Sequence, residues 1–364
     1  MTYKETLFFV GQCLTINSEK KNKHSIESLL KTKSVDWEAV VKVSTAHYVF
    51  PALYINLNRS NFLQYLPKDL VSYMTYITDL NRERNLKILE QAKEINNILI
   101  QNNVKAIFLK GTGNLMEGLY EDIAERMIGD IDFIVSKEHY TKTINILKKN
   151  EYKELSLLTN TFPHTRHYSR LIKENNIAAV EIHDELATEK YFNEFNYEYI
   201  STDLIENKKN EVFLSYKNQL CMAIISTQIN DKAYLFKNII LRYAYDIFLL
   251  SQKVNSINAI SDLKKMKPLL NYYLAISDIT LGKTKNILWI NDDKTKKYLK
   301  KFNNHLENKS HLKFKLIRFL IKVEKNSKII LKIFYSKKMR SWFFEIITSK
   351  EWLKQKFPVL LRKN

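Results

Sequence analysis

The stretch RMIGDIDFIV, Arg126 to Val135, sets two aspartates, Asp130 and Asp132, at alternate positions among apolar residues. On a strand, that period of two puts both carboxylates on one face. Side by side they cannot both ionise cheaply without a compensating cation. Hard oxygen ligands of this kind suit Mg²⁺ or Mn²⁺ bridging substrate phosphates. The plain alternative is a solvated turn at the head of a strand, so the surrounding sequence has to decide between them.

Upstream, VKAIFL (Val104–Leu109) is short and rich in β-branched and aromatic residues, which predicts a buried strand. It runs into Lys110-Gly111-Thr112, followed by helical spacing from Asn114 to Tyr120. A small-residue turn entering a helix presents backbone N–H groups and a hydroxyl to an anion, and Lys110 or Arg126 can neutralise phosphate charge. A triphosphate could be cradled there. Downstream, AAVEIHDEL carries Glu181 and His183 at alternate positions of another predicted strand, hence on a shared face. Glu181 could complete a metal site; an edge-strand surface acid and a satisfied imidazole are the plain readings of these two residues taken alone. The preceding PHTRHYSR holds His164 and His167, whose odd–even offset turns one inward and the other outward.

The elements that must position these residues follow from hydrophobic period. Residues 1–100 read as helical, with helices expected over Ser25–Lys33, Trp37–Tyr54 and Asp69–Asn102 and breaks at Pro51 and Pro67. The middle third has an α/β pattern: strands at Val104–Leu109 and Asp130–Val135, a helix at Glu138–Lys149, and strands at Thr165–Ile172 and Ala178–Glu185 joined by the turn at 173–176. Helical period returns from Lys217 to Lys253 and continues to Phe357. The fold class is α+β, divided into a helical region 1–100, a catalytic unit 101–210 and a helical C-terminal unit 211–364.

Composition narrows the class further. Only 6 Gly and 5 Pro stand against 45% apolar residues, which excludes collagen-like and low-complexity chains. Cys13 and Cys221 match no zinc or redox spacing, so a reducing, cytoplasmic setting is expected. The first residues lack a basic start and a cleavage pattern, and no apolar run approaches the roughly 20 residues of a spanning helix, so neither a signal peptide nor a transmembrane segment is expected. The net charge of +19 is carried by the last third: residues 253–364 hold 27 Lys+Arg against 8 Asp+Glu, whereas residues 1–252 hold 31 of each. Such a block attracts polyanions, whether nucleic acid or anionic lipid. From His311 to Phe357 the basic residues interleave with Phe, Ile, Leu and Trp, and the plain reading is a helix packed on the core with a solvated lysine face.

Together, L-K-G-T, then R-x-x-G-D-I-D-F-I-V, then V-E-I-H resembles the nucleotidyltransferase-fold superfamily, and more narrowly its bacterial branch with K-G and R-x-x-D-I-D signatures. The resemblance covers roughly residues 80–250; Arg242 and Asp246 are similar to the R-x-x-x-D element of that branch. It implies a small mixed sheet flanked by helices, with Gly111 at the glycine turn and Asp130, Asp132 and Glu181 as metal ligands. The implied reaction is a two-metal transfer of a nucleoside monophosphate from a nucleoside triphosphate such as ATP, with Mg²⁺ or Mn²⁺ as cofactor. In it Lys110, Thr112 and Arg126 orient phosphates, and His183 lies behind the metal ligands. The acceptor stays open among small molecule, peptide, RNA and protein. Two departures stand out: Thr112 replaces the usual Ser or Gly, and Asp184 follows His183 where the branch tends to have an aromatic residue. The other class that fits is a degenerate or toxin–antitoxin-like component that binds nucleic acid or a partner.

Overall fold

The computed structural model describes residues 1–155, 166–308 and 311–348. Seven strands, β1 (Ile107–Phe108), β2 (Asp130–Ile134), β3 (Lys153–Glu154), β4 (Leu171–Ile172), β5 (Ala179–His183), β6 (Leu204–Glu206) and β7 (Val212–Leu214), form one mixed sheet in the order β3-β4-β5-β2-β1-β7-β6. The longest ladder is the parallel pair β2–β5, which sets Asp132 opposite Glu181 and Ile134 opposite His183. Ile131, Phe133, Val180 and Ile182 fill the opposite face of these two strands and are fully buried. The alternation read from the sequence is therefore the division between core face and acid face.

Helices surround the sheet, as expected, and their bounds carry the corrections. The span 37–54 is two helices, Trp37–Ala46 and Phe50–Arg59, parted at Tyr48 with φ 57°. Pro51 starts the second rather than ending the first, because a proline in the first turn forfeits no intrahelical hydrogen bond. The helix expected at 114–120 begins earlier, at Lys110. The strand expected over 165–172 shrinks to β4 plus a single bridge from His167 to His183. The short strands β3, β6 and β7 went unforeseen, since two or three residues hold too little pattern to show a period.

The 34-residue helix Lys68–Gln101 holds the entries to both acid-bearing strands. The segment ahead of β2 is irregular, and its buried carbonyls need donors. Asn81 donates to the Ala124 carbonyl at 2.8 Å, Asn85 to those of Ile123 and Arg126 at 2.7 and 2.8 Å, and Arg84 to that of Ile128. Two turns further on, Gln91 donates to the Ala178 carbonyl at 3.0 Å and accepts from the Ala178 N–H at 3.1 Å, which fixes the start of β5.

One apolar cluster runs from Leu7 to Leu306 and takes in the sheet. The two ends of that span meet directly: Thr15 and Asn22 both donate to the Leu281 carbonyl, at 3.1 and 2.8 Å. The last two described helices, His311–Tyr335 and Lys337–Thr348, correct the expectation of core packing. Leu312, Phe319 and Phe334 are 79%, 61% and 71% exposed. Residues 349–357 of that expectation lie outside the described residues.

Replacing Gln91 with Leu keeps the bulk but strips both partners from Ala178. A cost of about 1–3 kcal/mol for each group left unpaired is expected in urea unfolding; an unchanged midpoint would remove Gln91 as the clamp on β5.

Candidate active site

Asp132 and Glu181 face each other across β2 and β5 and are buried, as is His183 two residues along. The His183 Nε2 lies 2.9 Å from Asp132 Oδ1 and 3.8 Å from Glu181 Oε2. Lys110 stands over the three. Its Nζ is 2.5 Å from Asp132 Oδ1, 3.2 Å from His183 Nε2 and 3.9 Å from Glu181 Oε2. On the outer side Arg170 spans two acids, with Nε 2.7 Å from Glu181 Oε1 and Nη2 3.2 Å from Asp130 Oδ2. Three carboxylates are thus compensated by one lysine and one arginine.

Lys110 reaches this place because it opens its helix with φ 53°, a left-handed conformation that side-chain-bearing residues adopt at a cost. The next two turn residues serve packing and hydrogen bonding. A Cβ on Gly111 would stand 2.6 Å from Ile128 Cγ2, and one on Gly113 would stand 2.6 Å from the Phe108 carbonyl oxygen, so glycine is what lets this helix lie against the sheet. The Thr112 hydroxyl donates to the Asp130 carbonyl at 2.7 Å, tying the turn to β2.

Arg126 is buried and bound to Asp246, with Nε 3.0 and 3.1 Å from its two carboxylate oxygens and Nη2 2.9 Å from Oδ2. Its remaining donor, Nη1, meets the Met127 carbonyl at 2.9 Å. Asp246 also accepts from the Tyr120 hydroxyl at 2.5 Å. Arg126 therefore cross-links the entry of β2 to the helix Leu241–Ser251 while lining the cleft. Arg242, one turn before Asp246, lies over the Tyr48 ring at 4.7 Å and also borders the cleft.

The cleft has a volume of about 280 Å³ and brings together Lys110, Gly111, Thr112, Arg126, Asp130, Asp132 and Glu181. His183 lies beneath it, and His167 lines it with its ring 5.5 Å from that of His183. His164 lies outside the described residues. Sequence reasoning missed Arg166, Arg170 and Asp231, which also line the cleft. Arg166 and Arg170 had a usable signal, since an even spacing in PHTRHYSR puts them on one side of an extended chain. Asp231 had none: it caps a π-helical turn, Ile225–Asn230, inside a segment whose period reads as plain helix.

The electrostatics divide the acids. Burial pushes the Asp132 carboxyl up, but Lys110 and His183 more than reverse this and hold it well below the usual range. Asp130 moves the other way, raised by burial and by Asp132 against the pull of Arg170. Burial would lower the Lys110 ammonium, yet Asp132 and Glu181 leave it raised. Burial and then Lys110 push His183 down to about 4, so at neutral pH the ring is uncharged. With its Nε2–H given to Asp132, the unpartnered Nδ1 is a bare lone pair. The ligand atoms of Asp132, Glu181 and His183 lie within 4.8 Å of one another. The carboxylates of Asp132 and Glu181, converging on a point now served by an ammonium, fit a divalent cation, with the His183 ring behind them fixing Asp132. Asp130 sits at the partly exposed rim of this group.

Breaking the buried Arg126–Asp246 pair by Asp246→Ala is expected to cost about 3–5 kcal/mol in chemical denaturation, because an uncompensated guanidinium is left inside. A cost below about 1 kcal/mol would show the cross-link to be dispensable. A second expectation concerns pH. The folded His183 titrates near 4 and the unfolded one near 6.5, so between these values the unfolded chain binds more protons and stability rises with pH. In chelator, His183→Gln should flatten that part of the stability–pH curve; a slope unchanged by the substitution would assign it to other groups.

Comparison with known proteins adds one finding. No curated protein matches the chain. A family model described as uncharacterised nucleotidyltransferase matches residues 33–275, well over half of the chain and all seven strands of the sheet. The chain belongs to that nucleotidyltransferase family.

Proposed function

We propose that the protein transfers a nucleoside monophosphate from a nucleoside triphosphate to an acceptor, releasing pyrophosphate, with Mg²⁺ or Mn²⁺ held by Asp130, Asp132 and Glu181. The observation that carries this reading is the direct opposition of Asp132 and Glu181 on β2 and β5, beneath a cleft ringed with cations. Bound there, a divalent ion would polarise the phosphoryl group and lower the cost of the charge that develops on transfer.

The residues of the chain divide the remaining work. His183 holds Asp132 through its Nε2–H and, being neutral, adds no competing charge. Asp132 stays ionised through the physiological range, ready to bind a cation. With a divalent cation on the carboxylates, the Lys110 ammonium would no longer be needed at Asp132 and could turn to a phosphate oxygen. The first-turn N–H groups of Gly111 and Thr112 lie before the first intrahelical bond, from Gly113 to the Leu109 carbonyl, and could donate to an anion. The backbone carbonyl of Arg166 accepts from the Asp184 and Glu185 N–H groups, and burial lowers the pKa of its guanidinium by more than Asp231 and Glu181 raise it. A phosphate would supply the compensation it lacks. Arg126, spent on Asp246, contributes by keeping the cleft wall in place.

A second reading, a fold that keeps the shape of the site but only binds a partner, draws on Lys110, whose ammonium lies against Asp132 and can itself compensate it. Thermal unfolding with each nucleoside triphosphate, with and without Mg²⁺ or Mn²⁺, separates the two. On the catalytic reading a triphosphate plus metal stabilises the native chain, by about 2.7 kcal/mol at a hundredfold excess over Kd, and Asp132→Asn abolishes the effect. No stabilisation by any of the four triphosphates would favour the partner-binding fold.

A further inference from the structure

The helix His311–Tyr335 is 25 residues long, about 38 Å at 1.5 Å per residue, and it is docked by one side only. On that side Phe314 stacks on Phe236 at 5.8 Å and meets the His305 ring at 4.8 Å. Glu324 pairs with Lys232 at 3.1 Å, and Lys332 pairs with Glu189 at 2.9 Å. Lys232 adjoins the cleft residue Asp231, so the helix is tied one residue from the site.

The opposite side is apolar and exposed. Leu312, Leu316, Phe319, Val323, Ile330 and Phe334 recur at steps of three, four and seven residues, which keeps them on one helical stripe, and all six are exposed. Lys315, Arg318, Lys322 and Lys325, also exposed, run along the flank between this stripe and the docked side. Within the helix there are seven Lys and Arg against one acid, Glu324, which is already paired with Lys232 and Lys328.

An occupant of this face must accept an apolar stripe and supply negative charge beside it. A second copy of the chain would bring the same excess of cations, and like charges across an interface oppose association. A nucleic-acid backbone would satisfy the lysines but leave the leucines and phenylalanines in water. The headgroup region of an anionic bilayer offers both, with apolar depth below and phosphate charge above. Among the described residues no helix is long and apolar enough to cross a membrane, which leaves a helix lying in the interface plane. We propose that His311–Tyr335 is an interfacial anchor that binds the protein to anionic lipid surfaces through the Leu316–Phe319–Val323 stripe and its lysine flank.

Vesicle sedimentation of the full chain tests this. Vesicles of phosphatidylcholine and phosphatidylglycerol in equal parts should carry the protein down, vesicles of phosphatidylcholine alone should not, and salt should weaken the binding. The triple variant Leu316→Glu/Phe319→Glu/Val323→Glu should lose about tenfold or more in partitioning, as should Lys315→Glu/Arg318→Glu/Lys322→Glu. Both should keep the native unfolding midpoint, because the substituted side chains face solvent; if the triple variant is destabilised, Phe334→Glu alone serves in its place. Absence of binding to the anionic vesicles overturns the proposal. So does binding that only the charge variant reduces, which would point to a nucleic-acid-like polyanion. A dimer in light scattering that the apolar variant converts to monomer would overturn it in favour of self-association.

Discussion

Two carboxylates placed opposite each other on parallel strands and closed off from water need a cation beside them. Asp132 and Glu181 are such a pair, and Lys110 meets the need from within the chain. Much of the local structure follows from bringing that ammonium in. The helix that carries Lys110 has to start directly after the central strand β1, its first residue takes a left-handed φ, and Gly111 and Gly113 remove the side chains that would hold it away from Ile128 and Phe108. The depressed carboxyl of Asp132 and the neutral ring of His183 are two sides of the same arrangement.

The acid pair also has to be held in register. Parallel strands distant in sequence have no hairpin to align them, so the alignment is set from outside. The helix Lys68–Gln101 does this with amide side chains, gripping the chain ahead of β2 through Asn81 and Asn85 and ahead of β5 through Gln91. From the other direction, Asp246 holds Arg126 four residues before Asp130. Helices on either side in sequence therefore converge on the few residues that lead into the site.

The acid face was legible in the sequence because strands have a period of two: Asp130/Asp132 and Glu181/His183 announce their faces whether or not neighbouring elements are known. The strand β2, the helix Lys137–Lys149 and the helical flanks were legible for the same reason, since their patterns persist over enough residues to show a period. The early start of the helix at Lys110 was hidden, because a positive φ at a lysine leaves no compositional trace. The partner of Arg126 was hidden as well: a buried arginine and a phosphate-binding arginine are the same letter, and only the carboxylate 120 residues away distinguishes them. The tail misled differently. Its amphipathic period was read correctly, but period alone does not tell which side of a helix meets the protein, and here the apolar side is turned to solvent.

The bonds from Thr15 and Asn22 to the Leu281 carbonyl have a consequence for how such a chain can change over generations. With a single apolar cluster from Leu7 to Leu306 and the site steadied by helices on both flanks, the sheet is not a portable cassette. Shuffling of gene segments that carried off only the acid-bearing strands would leave Ala178, Ile123 and Arg126 without the amides that satisfy them. New acceptor preferences in this lineage would have to arise by substitution around the cleft rim, for instance at Asp231, rather than by exchange of the strands beneath it.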